Sequence, residues 1–303
     1  MTAASPARAA GHRLRRVATI GELLVAGKAR LSAASFSPPP PPREAALLLG
    51  RALGLSEAQI LARDDRSVEP AAAIRYRDWI ERRAGGEPVA YLLGEREFYG
   101  RVFSVDSRVL IPRPETEHLL EQALRIPLPA QPRILDVGVG SGAIAVTLAC
   151  ELPEARVVAT DLSTGALAVA RRNAQRLGAA GRVDLVRTDL FAGIDPEAID
   201  LLVSNPPYVD RTESAEMSPE VCNFEPHLAL FPPGGGGLET IARLLRSAAA
   251  LRPGTRVLLE IGRGQLAAVE ASAREAGFDL LAAPADYAGI PRVAVLNRRG
   301  RSN

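Results

Sequence analysis

Cysteine is nearly missing from this chain of 303 residues, with Cys150 and Cys222 the only two. They stand far apart, and neither they nor the three histidines, His12, His118 and His227, occur at metal-ligand spacing. A disulfide framework and a metal site are therefore not expected. No apolar run approaches the roughly 20 residues of a membrane span, and no charged stretch leads into an apolar signal core. The expectation is a cytoplasmic protein without membrane attachment. Acidic residues are scarce at the N-terminus, where Arg8, Arg13, Arg15, Arg16, Lys28, Arg30 and Arg43 face only Glu22. Lys28 is the only lysine among 37 basic residues, so this asymmetry reads as a frayed tail in an arginine-biased sequence. Outside the tail there is little of the basic, aromatic-bearing surface that tracks phosphates and flips bases, so stable nucleic-acid binding is not expected.

Hydrophobic residues make up 47% of the chain and charged residues 24%, the balance of a globular protein. The length suits one domain of ordinary size and one smaller. Residues 1–16 read as a flexible basic tail and 17–86 as a helical domain. Apolar residues recur at helical spacing over 17–31, the proline run 38–42 forces an extended connection, and helices follow over 43–53, 56–63 and 70–83. Ser56 fits an N-cap, and Gly54 and Gly85 fit stops. From Pro88 the pattern changes: Tyr91, Leu92, Phe98, Phe103, Val105, Val109 and Leu110 cluster around Gly94 and Gly100, which predicts a β-hairpin linker over 87–111. Beyond it, over 112–303, helices alternate with short apolar strands at 133–137, 156–160, 183–187, 201–204 and 256–261. This is the pattern of an α/β domain with a doubly wound, mostly parallel sheet.

The strand Ile134-Leu135-Asp136-Val137 runs into Gly138-Val139-Gly140-Ser141-Gly142 and then an alanine-rich helix. Open α/β sheets bind nucleotides at such a turn, because glycine lets the backbone approach a ligand and the helix N-terminus beyond offers free N–H groups. The turn by itself suits a dinucleotide as well as S-adenosylmethionine. Asp161, at the end of the second strand, is placed to accept hydrogen bonds from a ribose. Asp189 follows the third strand, where its carboxylate can take an adenine amino group and its apolar neighbours Leu190 and Phe191 can cover the ring.

Asn205-Pro206-Pro207-Tyr208 follows the fourth strand and so falls at the same edge of the sheet as the glycine turn. Two consecutive prolines fix φ and end the strand, which holds the Asn205 side-chain oxygen and the Pro206 carbonyl rigidly for one ligand NH₂ group. Tyr208 supplies an aromatic face for a planar acceptor. An amide nitrogen is a poor nucleophile because its lone pair is delocalised, and accepting hydrogen bonds from both its N–H groups enriches it for attack on a methyl sulfonium. No general base is needed beforehand, since the alkylated nitrogen becomes acidic. A dinucleotide oxidoreductase would need a hydride-transfer partner, and no histidine stands at a strand's carboxyl end.

With these residues in view, the chain resembles the release factor glutamine methyltransferases, the HemK or PrmC family. Three stretches carry the likeness. The first is Arg83 to Glu117, with Val-Leu-Ile-Pro-Arg-Pro-Glu-Thr-Glu at its end. The second is the glycine turn together with Asn205 to Tyr208, and the third is Asn223-Phe224-Glu225-Pro226-His227-Leu228-Ala229-Leu230. The resemblance implies a Rossmann-like S-adenosylmethionine-dependent methyltransferase domain joined by the hairpin to an N-terminal substrate-recognition domain. It implies that Gly138, Val139, Gly140, Ser141, Gly142, Asp161, Asp189, Leu190 and Asn205 hold S-adenosylmethionine, and that Asn205, Pro206, Pro207, Tyr208 and Glu225 hold the target. Asn205, Pro206 and Tyr208 are the catalytic expectation, with Phe98, Arg113 and Glu115 lining the site. The implied partner is a class I peptide chain release factor, methylated on the glutamine of its Gly-Gly-Gln loop, with the enzyme a monomer. Asn-Pro-Pro-Tyr also occurs in adenine amino methyltransferases of DNA and RNA and in the enzyme acting on a ribosomal protein glutamine. Ile111 to Glu117 favours the release factor enzyme. The chain departs from the family pattern at Phe231-Pro232-Pro233-Gly234-Gly235-Gly236-Gly237-Leu238, which lacks the usual Asp.

Overall fold

The computed structural model describes residues 17–36, 38–231, 236–286 and 288–300. The basic tail, residues 1–16, and residues 232–235 of the proline- and glycine-rich loop lie outside them. The chain divides into two compact units, 1–92 and 93–303.

The first unit is helical: α1 (Ile20–Ser32), α2 (Glu44–Leu53), α3 (Glu57–Leu61) and α4 (Pro70–Ala84). Its boundaries follow from local chemistry. Thr19 with Glu22 and Ser56 with Gln59 form reciprocal capping boxes that satisfy the free amides opening α1 and α3. Gly54, at φ 66°, ends α2 in the left-handed conformation that glycine adopts without penalty. Ile20, Leu31, Leu48, Leu49 and Ile60 are fully buried between the helices. Tyr76 joins them, its hydroxyl donating to the Leu23 carbonyl at 3.2 Å. Gly27 on α1 makes room for that ring, because a Cβ there would overlap the Tyr76 hydroxyl. Arg83, almost wholly buried, meets Glu44 at 2.6 Å, pairing a charge that burial would otherwise penalise.

Between Pro88 and Leu110 the hairpin is shorter than the sequence pattern implies. Tyr91 and Leu92 belong to a single helical turn, α5 (Val89–Leu93), because the Pro88 carbonyl accepts from both their amides and proline favours a helix start. The hairpin is β1 (Glu95–Phe98) with β2 (Arg101–Ser104), closed by Tyr99 and Gly100, at φ 50° and 70°. Positive φ at both central residues gives the two-residue turn whose twist matches the strands.

The second unit is built on a seven-stranded sheet of order β5-β4-β3-β6-β7-β9-β8. Its strands are β3 (Arg133–Val137), β4 (Arg156–Asp161), β5 (Val183–Arg187), β6 (Leu201–Ser204), β7 (Arg256–Glu260), β8 (Phe278–Ala282) and β9 (Val293–Arg298). β3 to β7 run parallel, whereas β9 is antiparallel to β7 and β8 antiparallel to β9. The helices are α6 (Thr116–Arg125), α7 (Ala143–Glu151), α8 (Thr164–Arg176), α9 (Pro219–Phe224), α10 (His227–Leu230), α11 (Glu239–Ala248) and α12 (Leu266–Glu275). Two apolar cores sandwich the sheet. Ile134 packs into one with Leu119, Leu148 and Ala170; its neighbour Leu135, pointing the other way, packs into the second with Leu244, Leu245 and Val269. The expected doubly wound, mostly parallel sheet is therefore the fold of this unit. Among the described residues no helix is long and apolar enough to cross a membrane.

Gly27→Ala tests the close contact in the first unit. Overpacking against Tyr76 should cost about 1–3 kcal/mol, outweighing the roughly 1 kcal/mol that alanine gains in helix propensity. A lower urea midpoint is expected; a raised one would mean that Tyr76 moves aside freely.

Candidate active site

The carboxyl ends of β3, β4, β5 and β6 share one edge of the sheet because all four run parallel. The strand order reverses between β3 and β6, so the connections leaving these strands diverge and open a crevice at that edge. A pocket of the second unit lies in it, lined by Gly138 to Ser141, Asp161, Asp189, Leu190 and Asn205 to Pro207 among others.

The glycines of the turn serve different ends. Gly138, Gly140 and Gly142 all have positive φ, at 83°, 52° and 85°. The Gly138 and Val139 amides both donate to the Thr160 carbonyl, which folds the turn back over β4, and the Gly140 amide donates to Asp161 Oδ2 at 3.0 Å. A Cβ at Gly140 would meet no protein atom within 4 Å, and one at Gly138 only the Asn205 carbonyl at 3.9 Å. The protein itself therefore leaves the space over both glycines open. Gly142 differs: it does not line the pocket, and a Cβ there would press on Ala170 and Val146 at 3.2 Å. The expectation that Gly142 touches a cofactor is corrected on this point, since it starts α7 and lets α8 pack close. Asn173, fully buried on α8, braces the turn by donating to the Ser141 and Ser104 carbonyls and accepting from the Ser104 amide.

Asp161 accepts from the Gly140 amide at one oxygen and the Ser163 amide at the other, and burial raises its pKa despite these bonds. Beneath the turn, Asp136 is completely buried and accepts from the Ala145 amide, with burial pushing its pKa up to about 7. Asp189 is half-exposed at the pocket and paired with Arg243 at 2.6 Å. Leu190 stands at φ 52°, a strained conformation for a side chain of its size, held by the Thr160 hydroxyl donating to its carbonyl at 2.6 Å. Leu190 lines the pocket.

Asn205 lines the pocket and donates through Nδ2 to Thr116 Oγ1 at 3.2 Å. Thr116 donates to Glu260 Oε2 at 2.6 Å, and the Tyr208 hydroxyl donates to Glu260 Oε1 at 3.2 Å. Glu260 is almost wholly buried, and burial pushes its pKa up to about 7. Burial, then the adjacent Glu260, raises the Tyr208 phenol.

Two expected substrate contacts stand behind the pocket wall instead. Tyr208 is directed at Glu260, and its ring packs close to Gly262. Glu225 is buried, accepting from the Ile111 amide at 3.1 Å and from Arg113 at 2.5 Å, and it reaches the pocket only through Arg113, which lines it. Burial raises the Glu225 pKa and Arg113 opposes the shift. Phe98 is also absent from the site, because it packs edge-on against Phe103 at 6.0 Å in the core. Glu115 does not line the pocket either. The wall includes residues the sequence left unmarked: Thr116, Thr160, Ser204, Thr240 and Arg243. Thr240 Oγ1 is buried there without a protein partner.

Family comparison divides the chain in two. The PrmC N-terminal domain matches residues 22–94 and the methyltransferase small domain residues 115–222. Solved structures agree on the fold: a methyltransferase from Pyrococcus furiosus superposes with a TM-score of 0.50 at 18% identity, covering 67% of this chain and 91% of that one. The hMettl16 catalytic domain gives 0.53 at 16% identity, covering 77% of this chain and 82% of that one. The sheet, its glycine turn and these likenesses define a Rossmann-like methyltransferase. Release factor glutamine methyltransferases are far closer in sequence. That of Cereibacter sphaeroides is 45% identical over 251 residues, 82% of this chain and 88% of the relative, and that of Bordetella pertussis 45% over 260 residues, 85% and 95%. The chain belongs to the release factor glutamine methyltransferase family. Its methyl donor is S-adenosylmethionine. The open space over Gly138 and Gly140, the unpartnered Thr240 hydroxyl and the apolar cover at Leu190 fit that molecule.

Gly140→Val places a branched side chain in this open space at φ 52°. S-adenosylmethionine binding by calorimetry should weaken by at least about 100-fold, roughly 2.7 kcal/mol. Retained affinity would move the cofactor elsewhere.

Proposed function

We propose that this enzyme methylates the side-chain amide nitrogen of a glutamine, the one in the Gly-Gly-Gln loop of class I peptide chain release factors. The observation carrying this reading is that Asn205, Pro206 and Pro207 line the same pocket as Gly138 and Gly140, so an amide held by the first group meets a donor held by the second. The relatives' name supports the acceptor: they are called release factor glutamine methyltransferases at 45% identity over most of the chain.

Gly138 to Ser141, Asp161, Asp189 and Leu190 are the residues assigned to the cofactor, which when bound supplies an electrophilic methyl on a sulfonium. Asn205 Oδ1 and the Pro206 carbonyl are assigned to the two N–H groups of the target amide. Accepting from both fixes the amide plane, so that the nitrogen lone pair faces the methyl, and enriches the nitrogen for attack. A methyl held on its sulfonium by these residues would be the group the aligned nitrogen takes, and the alkylated nitrogen would then give up its proton to water. Pro207 stiffens the segment, while Tyr208 and Glu225 act from behind the wall. The reading includes a monomer in the cytoplasm with no membrane attachment and no stable nucleic-acid binding.

The test is transfer of labelled methyl to purified unmethylated release factor, beside a loop Gln→Ala variant, a ribosomal protein acceptor and adenine-containing nucleic acid. Label that depends on the loop glutamine is expected; label on either other acceptor would reassign the substrate. Asn205→Ala should lower kcat by at least about 100-fold, the scale of losing a preorganised charge-stabilising contact, with S-adenosylmethionine affinity within a few fold. Loss of both together would remove Asn205 from this role.

A further inference from the structure

Asn205 can align an amide only if its oxygen, not its nitrogen, faces the acceptor, since the target amide offers two N–H groups. A primary amide is nearly symmetric in shape, so this choice must be imposed by a neighbour. Thr116 is that neighbour, and its single hydroxyl hydrogen goes to Glu260 Oε2 at 2.6 Å. An ionised carboxylate only accepts, so Thr116 Oγ1 has only lone pairs left for Asn205, which must present Nδ2, as it does at 3.2 Å. No described residue donates to Asn205 Oδ1. The Tyr208 hydroxyl donates to the other oxygen of Glu260, so both oxygens receive hydrogen bonds from groups that hold no charge.

We propose that Glu260 and Thr116 are positioning residues that set the polarity of Asn205, the buried carboxylate dictating through one hydroxyl that the acceptor meets an oxygen. This rests on the assignment of Asn205 to the target amide. The atoms involved lie far apart in sequence, Thr116 at the start of α6, Asn205 after β6 and Glu260 at the end of β7, and they meet only through the sheet.

The polarity reverses if Glu260 takes a proton. Its own O–H then donates to Thr116, whose hydrogen is freed to donate to Asn205. The amide gains by turning Oδ1 toward Thr116, which leaves Nδ2 facing the N–H groups of the acceptor. The groups acting on Glu260 are Tyr208 after β6, Glu115 before α6 and Arg292 before β9. Glu115 favours the protonated form and Arg292 the ionised one, but Arg292 is itself paired with Asp286 at 2.9 Å. Burial is the largest influence and brings Glu260 to about 7. The active form is the ionised one, so kcat should fall as the pH drops through about 7.

The experiment uses the full chain, S-adenosylmethionine and unmethylated release factor. Thr116→Val keeps the volume and removes the hydroxyl; kcat should fall roughly 10- to 100-fold while S-adenosylmethionine affinity stays within about twofold. Thr116→Ser restores the hydroxyl and should recover kcat to within about fivefold of wild type. Glu260→Gln can still accept from Thr116 while donating to Tyr208, so it should keep part of the activity but lose the acid fall in kcat. Unchanged kcat in Thr116→Val would overturn the proposal. So would an acid fall surviving in Glu260→Gln, which would point to Asp136. If Thr116→Val does not fold, the serine and glutamine variants decide. Wild-type failure on the release factor is a separate outcome that overturns the substrate assignment; the same series then runs on whichever planar nitrogen wild type labels.

Discussion

The pairing of β3 with β6 is the contact on which the rest of the site depends. Val137 stands opposite Ser204, and the Ser204 hydroxyl donates to the Val137 carbonyl at 2.6 Å, closing the two strand ends together. The next residue on each strand lines the pocket: Gly138 on one side, Asn205 on the other. Strands in a sheet lie about 4.8 Å apart, so the two loops that follow them are brought together by backbone geometry alone. Slipping the register by one residue would turn Ile134 and Leu135 into the opposite cores, which makes the alignment as secure as the packing beneath it.

Much of this was legible in the sequence because it is local. The glycine turn, the strand-end Asp161 and Asp189 and the proline pair each announce themselves within a few residues, and all but Gly142 line one pocket. What local pattern does not reveal is direction. Tyr208 and Glu225 belong to recognisable motifs, yet their side chains turn inward because Glu260 and Arg113 wait there, 52 and 112 residues away. Phe98 likewise sits in a motif and goes to the core, where Phe103 offers an edge-on partner. Thr116, Arg243 and Glu260 were invisible as a set, since nothing near Thr116 signals a carboxylate 144 residues on. The two antiparallel strands, β8 and β9, also escaped notice: β8 is an edge strand with Leu281 exposed, so its pattern lacks the apolar run of its buried neighbours.

Two buried carboxylates, Asp136 and Glu260, lie beneath the pocket without a direct ion pair: the Ala145 amide donates to one oxygen of Asp136, the other being unpartnered, and Thr116 and Tyr208 donate to Glu260. A hydrophobic replacement would avoid the desolvation cost, which for groups of this kind is several kcal/mol. Their presence fits a site where orientation matters more than stability. Asp136 ties the end of β3 to the start of α7, and Glu260 ties α6 to the loop after β6. The pocket is therefore braced from below by polar bonds that allow few alternative geometries, while its open side is left to apolar cover and backbone.

The contrast among the three glycines bears on how such an enzyme would decay. Gly142 answers to α8, so a lineage that gave up the reaction but kept the fold would still be held to it by Ala170 and Val146. Gly138 and Gly140 answer to no such neighbour. With no protein atom crowding them, only their left-handed backbone would constrain them, and asparagine or aspartate tolerates that at modest cost. The order in which the glycines are lost would thus separate the retirement of the chemistry from that of the scaffold, a record written in the steric freedom of three alternate positions.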